Sequence, residues 1–220
     1  ISKPKDLLID SISSINTDVM NFLSIDCSTE IGSLFLKIKN KTFSKVLQSD
    51  KLSNDSLMKE ILSFITENKV EFDDFSEIFV NQGPGSFSGL RGSLATAKGI
   101  SLAKNFKLTG YDTFIWSCSK FYKKKDFIYS IIKFREKYFI KKFDKNLKNT
   151  LKIEETNENE ILRKYSNDFK VIPKSMSKYF SAKILKLNNL SIADLDHNDL
   201  EFLKLKGLLD EDLINPLYLS

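Results

Sequence analysis

Apolar and polar positions begin to alternate at Phe22. The run "FLSID" is short, apolar and ends on an acid, "CSTEIG" has the composition of a turn, and "SLFLKIK" sets Leu34, Leu36 and Ile38 against Phe35, Lys37 and Lys39. A period of two places each set on its own side of a strand, so the pattern predicts a hairpin with one buried face. "TFSKVL" offers a third strand, which makes the start an antiparallel meander. Leu57, Met58, Ile61, Leu62 and Ile65 then recur at helical spacing, with Ser53 or Asn54 placed to cap the start. "FDDFSEIFVNQGPG" brings the chain back through a parallel strand, and a second helix is expected from Ser88 to about Lys104. Three strands, a helix, a strand and a helix form an α/β lobe.

The strand-to-helix junction, "FVNQGPGSFSGLR" from Phe79 to Arg91, is where chemistry is most concentrated. Gly83, Gly85 and Gly89 permit unusual backbone angles or close approach, Pro84 has no amide to donate, and Ser86 or Ser88 is placed to cap the helix. The loop reads either as a tight turn or as an anion site made by free amides at the helix start. It is not a Walker A loop, because no Gly-Lys-Ser/Thr follows, and it is not a dinucleotide fingerprint. Arg91, disfavoured by the dipole of the first helical turn, is expected to have an acidic or carbonyl partner. Further along, Gly92, Ala95 or Thr96, Gly99 and Ala103 form a stripe of small residues that serves either packing within the lobe or contact with another subunit. Leu57, Ile61, Leu90, Leu94 and Ala95 are the candidates for that interface or for the core beneath it.

At 220 residues, 41% of them hydrophobic, the chain can build one large domain or two lobes. No apolar run is long enough for a membrane span, and the cytoplasm is the expected compartment. Met20 is read as the natural start, and residues 1–19 as an extension upstream of it. Cys27 and Cys118 stand far apart without a CxxC or a histidine companion, which argues against a disulfide framework and against zinc. The net charge of +5 is spread over lysines mixed with acids, as on a solvated surface. The single histidine, His197, lies in the acidic "ADLDHND" and reads as a surface or helix-cap residue. There is no HExxH, and serine–histidine catalysis would have to recruit that one remote side chain, so no catalytic or metal-ligating set is assigned.

The second half is plainer. "DFIYSIIKFREKYFIKKF" predicts a hairpin with strands Phe127–Ile132 and Tyr138–Phe143 around "KFRE". "NENEILRKY" and "SKYFSAKILKL" read as helices with "FKVI" as a strand between them, and residues 188–212 as a helix with loops. No internal repeat is readable by identity.

"FLSIDCSTEIGSLFL", followed about fifty residues later by "GPGSFSGLRGSLATAKG" and closed by "INPLYLS", resembles the bacterial TsaB (YeaZ-type) family. The resemblance implies the two-lobed α/β fold of the actin, sugar kinase and Hsp70-like ATPases (ASKHA), with lobes at 20–118 and 119–220, the terminal segment packing back on the first lobe. The first segment would be that fold's phosphate hairpin, here vestigial, with Asp26, Ser28, Thr29 and Gly32; Gly83, Pro84, Gly85, Ser86, Phe87, Gly89 and Arg91 would be the family's signature loop. It also implies a non-catalytic scaffold that binds a TsaD-like catalytic subunit and works with a TsaE-like ATPase in threonylcarbamoylation of adenosine 37 of ANN-decoding tRNAs. ATP and magnesium would be used by the complex and no cofactor required by this subunit, with tRNA the substrate and a homodimer the form taken alone. The wider glycoprotease grouping, peptidase M22-like by name, brings no proteolytic machinery to these residues. At the second hairpin Lys133 stands where the family commonly has an aspartate. The alternative is an active ATPase or small-molecule kinase of the same fold, using Asp26 for magnesium and residues 28–32 for phosphates.

Overall fold

A computed structural model describes residues 20–48, 54–211 and 214–219; the N-terminal extension and Ser53 lie outside the described residues. The first half runs β1 (Phe22–Asp26), β2 (Gly32–Ile38), β3 (Lys41–Leu47), α1 (Asn54–Glu67), β4 (Glu77–Asn81), α2 (Phe87–Lys104), β5 (Lys107–Tyr111) and α3 (Thr113–Cys118). The second half runs β6 (Phe127–Phe134), β7 (Lys137–Asp144), β8 (Glu154–Thr156), α4 (Glu158–Arg163), β9 (Lys170–Pro173), α5 (Ala182–Leu185), β10 (Leu190–Ala193) and α6 (Asn198–Leu205).

The strands form two five-stranded sheets, ordered β3-β2-β1-β4-β5 and β8-β7-β6-β9-β10. In each, an antiparallel hairpin and its third strand are followed by two parallel additions, so the halves repeat one topology that sequence identity does not reveal. This is the two-sheet, two-half α/β architecture that the resemblance implies. Among the described residues no helix is long and apolar enough to cross a membrane.

The hairpin buries two faces, not one. Leu34 and Leu36 point with Leu23, Ile25, Ile78 and Val80 into a core closed by Leu57, Ile61 and Phe64 of α1 and Leu94, Ala97 and Ile100 of α2. Phe35, on the opposite side of β2, joins Phe22, Phe79 and Tyr111 in a second core shared with α3, the second sheet and Leu200 and Leu203 of α6. The first sheet is therefore the wall between the two cores. Ser33 and Lys37 are the polar members of the second face within β2; Lys37 forms an ion pair with Glu201 of α6, which also accepts a bond from the Met20 amide at 3.2 Å.

The helix α6 carries a second ion pair into this junction. Lys204 bonds to Glu77 of β4, which is 4% exposed, and to Thr109 Oγ1 of β5 at 3.0 Å. Beyond α6 the chain pairs Asp210 with Gly110 in a short antiparallel bridge, inserts Ile214 into the α1–α2 core, and donates the Leu217 amide to the Gln82 carbonyl at 2.7 Å. The Gln82 side chain answers by donating to the Asn215 carbonyl at 3.0 Å.

The strands β5, β8 and β10 were not anticipated by periodicity; all three are sheet edges. The second hairpin is tighter than expected, since β6 and β7 extend through Phe134 and Lys137 and leave only Arg135 and Glu136 at the turn, with Arg135 at φ 55°. Truncating Ile214 removes an apolar side chain, 6% exposed, that ties the terminal segment to the first core. Ile214→Ala is expected to cost about 2–4 kcal/mol, read from urea unfolding midpoints against the parent protein.

Candidate functional site: the glycine loop and the first hairpin turn

The strand β4 delivers Asn81 to the head of the loop, where it organises three segments. Its Oδ1 accepts from the Gly83 amide at 2.8 Å, and its Nδ2 donates to Ser28 Oγ at 3.3 Å and to Thr113 Oγ1 at 3.0 Å. Gly83 takes φ +112°, a conformation that a side chain would strain. Ser86, not Ser88, is the cap: its Oγ accepts from the Gly89 amide at 3.1 Å, and α2 starts at Phe87.

The two candidate sites meet. The Ser86 amide donates to the Ser28 carbonyl at 2.9 Å. A Cβ on Gly85 would lie 2.0 Å from that same oxygen, and one on Gly89 would lie 2.3 Å from the Cys27 carbonyl oxygen. These glycines are thus spent on contact between the loop and the β1–β2 turn, backbone against backbone.

The turn itself is closed inward. The Ser28 amide donates to Asp26 Oδ1 at 2.9 Å, and Thr29 Oγ1 donates to the Ile31 carbonyl at 2.7 Å. Gly32 is buried and paired opposite Leu47. Burial raises the Asp26 carboxyl above its ordinary range, against the lowering effect of bonds from Ser28 and Asn81. A hairpin that holds a phosphate needs free amides and room in front of them. Here the Ser28 amide, hydroxyl and carbonyl are all engaged within the chain. A cavity of about 370 Å³ does occur between the halves, bordered by Asp112, Ile115, Lys141, Phe143 and Asp210, with no residue of the hairpin turn or the glycine loop in its lining.

Two charged expectations change. Arg91 has no acidic or carbonyl partner among the described residues; its guanidinium lies over the Phe87 ring, 4.6 Å from the centroid, because the first turn of α2 offers an aromatic and no acid. His197 does not cap α6 with its side chain and is half-buried. Its ring stacks on Phe35 at 5.0 Å and 11°, lies 4.8 Å from Trp116, and bonds through Nδ1 to Ser24 Oγ (2.9 Å) and through Nε2 to Ser33 Oγ (3.2 Å). Of the acidic neighbours that suggested exposure, Asp194 pairs with Lys174 at the surface, Asp196 accepts from the Asn198 amide and Asp199 turns inward to accept from Ser119 Oγ, while the ring lies at the junction between the halves. Nothing in the local sequence marks this, since the aromatic partners lie far away along the chain. Burial holds the imidazole down to about 4, the nearby Asp196 carboxylate acting in the opposite direction.

The interface candidates separate cleanly. Leu57, Ile61 and Leu90 are fully buried and Leu94 is nearly so, which removes them from any contact with a partner; Ala95 is exposed. What α1 and α2 present outward is a shallow apolar groove of about 320 Å³ lined by Met58, Phe72, Thr96, Gly99, Ile100 and Ala103. Burial pushes both thiols up, Cys118 to about 12, so neither cysteine offers a thiolate.

Gly85→Ala is expected to cost at least about 3 kcal/mol, since the clash is with backbone. Gly99→Ala, whose Cβ would meet nothing within 4 Å, is expected to stabilise α2 by up to about 1 kcal/mol. Thermal melts of the two variants check the contrast. His197 supplies a pH signature. With its folded pKa near 4 and an ordinary unfolded value of 6.5, the unfolded state binds the extra proton, so stability is full above pH 6.5 and falls by up to about 3 kcal/mol as pH drops toward 4. The raised carboxyls of Asp26, Asp199 and Asp210 act in the opposite sense, and comparing parent with His197→Gln across this range isolates the histidine.

Residues 47–126, just over a third of the chain, match the family model described as "TsaD: tRNA N6-adenosine threonylcarbamoyltransferase". A curated relative, the tRNA threonylcarbamoyladenosine biosynthesis protein TsaB of Buchnera aphidicola subsp. Baizongia pistaciae, is 35% identical over 85 residues, which cover 38% of this chain and 38% of that protein. The alignment therefore spans well under half of that relative's length. Two structures from Pseudomonas aeruginosa share the fold: a protein with similarity to peptidase YeaZ, with a TM-score of 0.68 and 16% identity over 92% of this chain and all of that one, and YeaZ itself, with a TM-score of 0.67 and 17% identity over 91% of this chain and all of that one. The chain is thus similar over part of its length to a TsaB protein and shares its fold along nearly the whole chain with YeaZ proteins.

Proposed function

We propose that this chain works in tRNA threonylcarbamoyladenosine biosynthesis as a non-catalytic subunit that binds a TsaD-like catalytic partner through the outer surface of α1 and α2. The observation that carries the reading is the fate of the glycine loop. An active ATPase or kinase of this fold requires the hairpin turn and the loop to face a ligand, whereas here Gly85, Ser86 and Gly89 are seated on Cys27 and Ser28. The loop acts as the rigid start of α2 and fixes the helix against the sheet. The names of the similar proteins and of the matching family model support the pathway and the partner in this reading.

The groove between α1 and α2 suits a helix from another subunit, because Gly99 and Ala103 keep the surface low enough for ridges to enter. In this reading tRNA is bound as substrate of the complex, a TsaE-like ATPase and the partner use the ATP and magnesium, and this subunit needs no cofactor of its own.

Light scattering of the purified chain mixed with a TsaD-like subunit is expected to show a one-to-one complex, and the chain alone is expected to show no nucleotide turnover. Phosphotransfer by the chain alone would overturn the reading. Gly99→Leu is the discriminating variant: the side chain projects into open space, so the fold is kept, while the groove is filled and the complex is expected to weaken by on the order of 100-fold.

A further inference from the structure

The outer face of α2 continues beyond the groove to a small aromatic cluster at the helix start. Phe87, Arg91, Ala95, Lys98 and Leu102 are exposed and recur at helical spacing, so they line one side of a single helix. At its beginning Phe87, 56% exposed, stacks against Tyr218, 47% exposed, with ring centroids 5.1 Å apart, and Arg91 covers the same Phe87 ring. Tyr218 is brought there by the terminal segment, which the Leu217 amide, the Asn215 carbonyl and Ile214 hold to the first half. An aromatic pair with a guanidinium, exposed and held by packed backbone beneath, is the composition that dominates binding energy at protein interfaces.

Charge selects the kind of partner. The eighteen residues of α2 contain no acid, and Arg91, Lys98 and Lys104 are its cations. Lys104 meets Asp73 at 3.6 Å, while Arg91 has no carboxylate among the described residues. On α1 the described carboxylates are already engaged: Lys45 of β3 pairs with Glu60 at 3.0 Å and with Glu67 at 3.5 Å. A second copy of this chain, docked by the same helices, would bring like charge to Arg91 and no unengaged carboxylate from the described side chains. A different protein with an apolar docking surface and a carboxylate at its rim matches both features.

We propose that Phe87, Arg91 and Tyr218 form the anchor at which a partner subunit bearing a rim carboxylate docks, so that the terminal segment is part of the docking surface. The proposal rests on the partner reading above and extends it to the helix start.

Binding of the full chain to the TsaD-like subunit tests it, with Phe87→Ala, Arg91→Ala and Tyr218→Ala measured by titration calorimetry at two salt concentrations. Each is expected to weaken the complex by about 10-fold to 100-fold with an unchanged melting temperature, and Arg91→Ala is expected to flatten the salt dependence. Three variants within twofold of the parent, while Gly99→Leu still disrupts the complex, would refute the anchor and leave the partner reading intact. Absence of any complex with the parent protein would remove the partner reading itself. Loss of tRNA binding with unchanged partner affinity would make the cluster a base-stacking platform and overturn the proposal, as would loss of a self-dimer alone.

Discussion

A sheet that is apolar on both sides cannot be left with either side in water, and this constraint shapes the rest of the molecule. The α1–α2 pair covers the side formed by Leu23, Ile25, Leu34 and Leu36. The side formed by Phe22, Phe35 and Phe79 has only the short α3 as cover within the first half and takes the rest from the second sheet and α6. The ion pairs Lys37–Glu201 and Lys204–Glu77 and the Ser24–His197–Ser33 bonds follow from that closure, since each satisfies a polar group that the contact removes from water. Beside β1 and β2 the space between the halves is filled by side chains, Phe22, Phe35 and His197 among them.

The glycine loop takes its meaning from this setting. Its glycines permit three backbones to lie together: the loop, the β1–β2 turn and the start of α2. The same contact that seats the loop on the turn gives α2 a fixed attitude, and the outer face of α2 carries the exposed Phe87, Arg91, Ala95, Lys98 and Leu102.

Much of this was legible in the chain. Period-two alternation marked β1, β2, β6 and β7, helical spacing marked α1, and the glycine loop marked the start of α2 to within a residue. The edge strands β5, β8 and β10 escaped because an edge needs only one partner and tolerates exposed or irregular positions; "KLTGY" and "EET" carry little alternation. His197 escaped because its environment is built from Ser24, Ser33, Phe35 and Trp116, and acidic neighbours in sequence say nothing about partners so distant along the chain. The separation of Leu57 and Ile61 from a true outer surface required knowing that the sheet lies directly beneath α1, a fact of tertiary packing that an amphipathic pattern shares with an interface.

The return of the chain over Gln82 and Gly83 has a consequence for synthesis. During translation the strand, loop and α2 emerge well before residues 210–217, yet the Gln82 carbonyl, the Gln82 side-chain Nε2 and the core place for Ile214 find their partners only in that later stretch. The first half leaves the ribosome with this seam open, and the loop becomes fully satisfied only after the second half has been made and has folded across it. A nascent chain therefore carries this seam unfinished, and the Phe87–Tyr218 contact forms only once translation has passed this stretch.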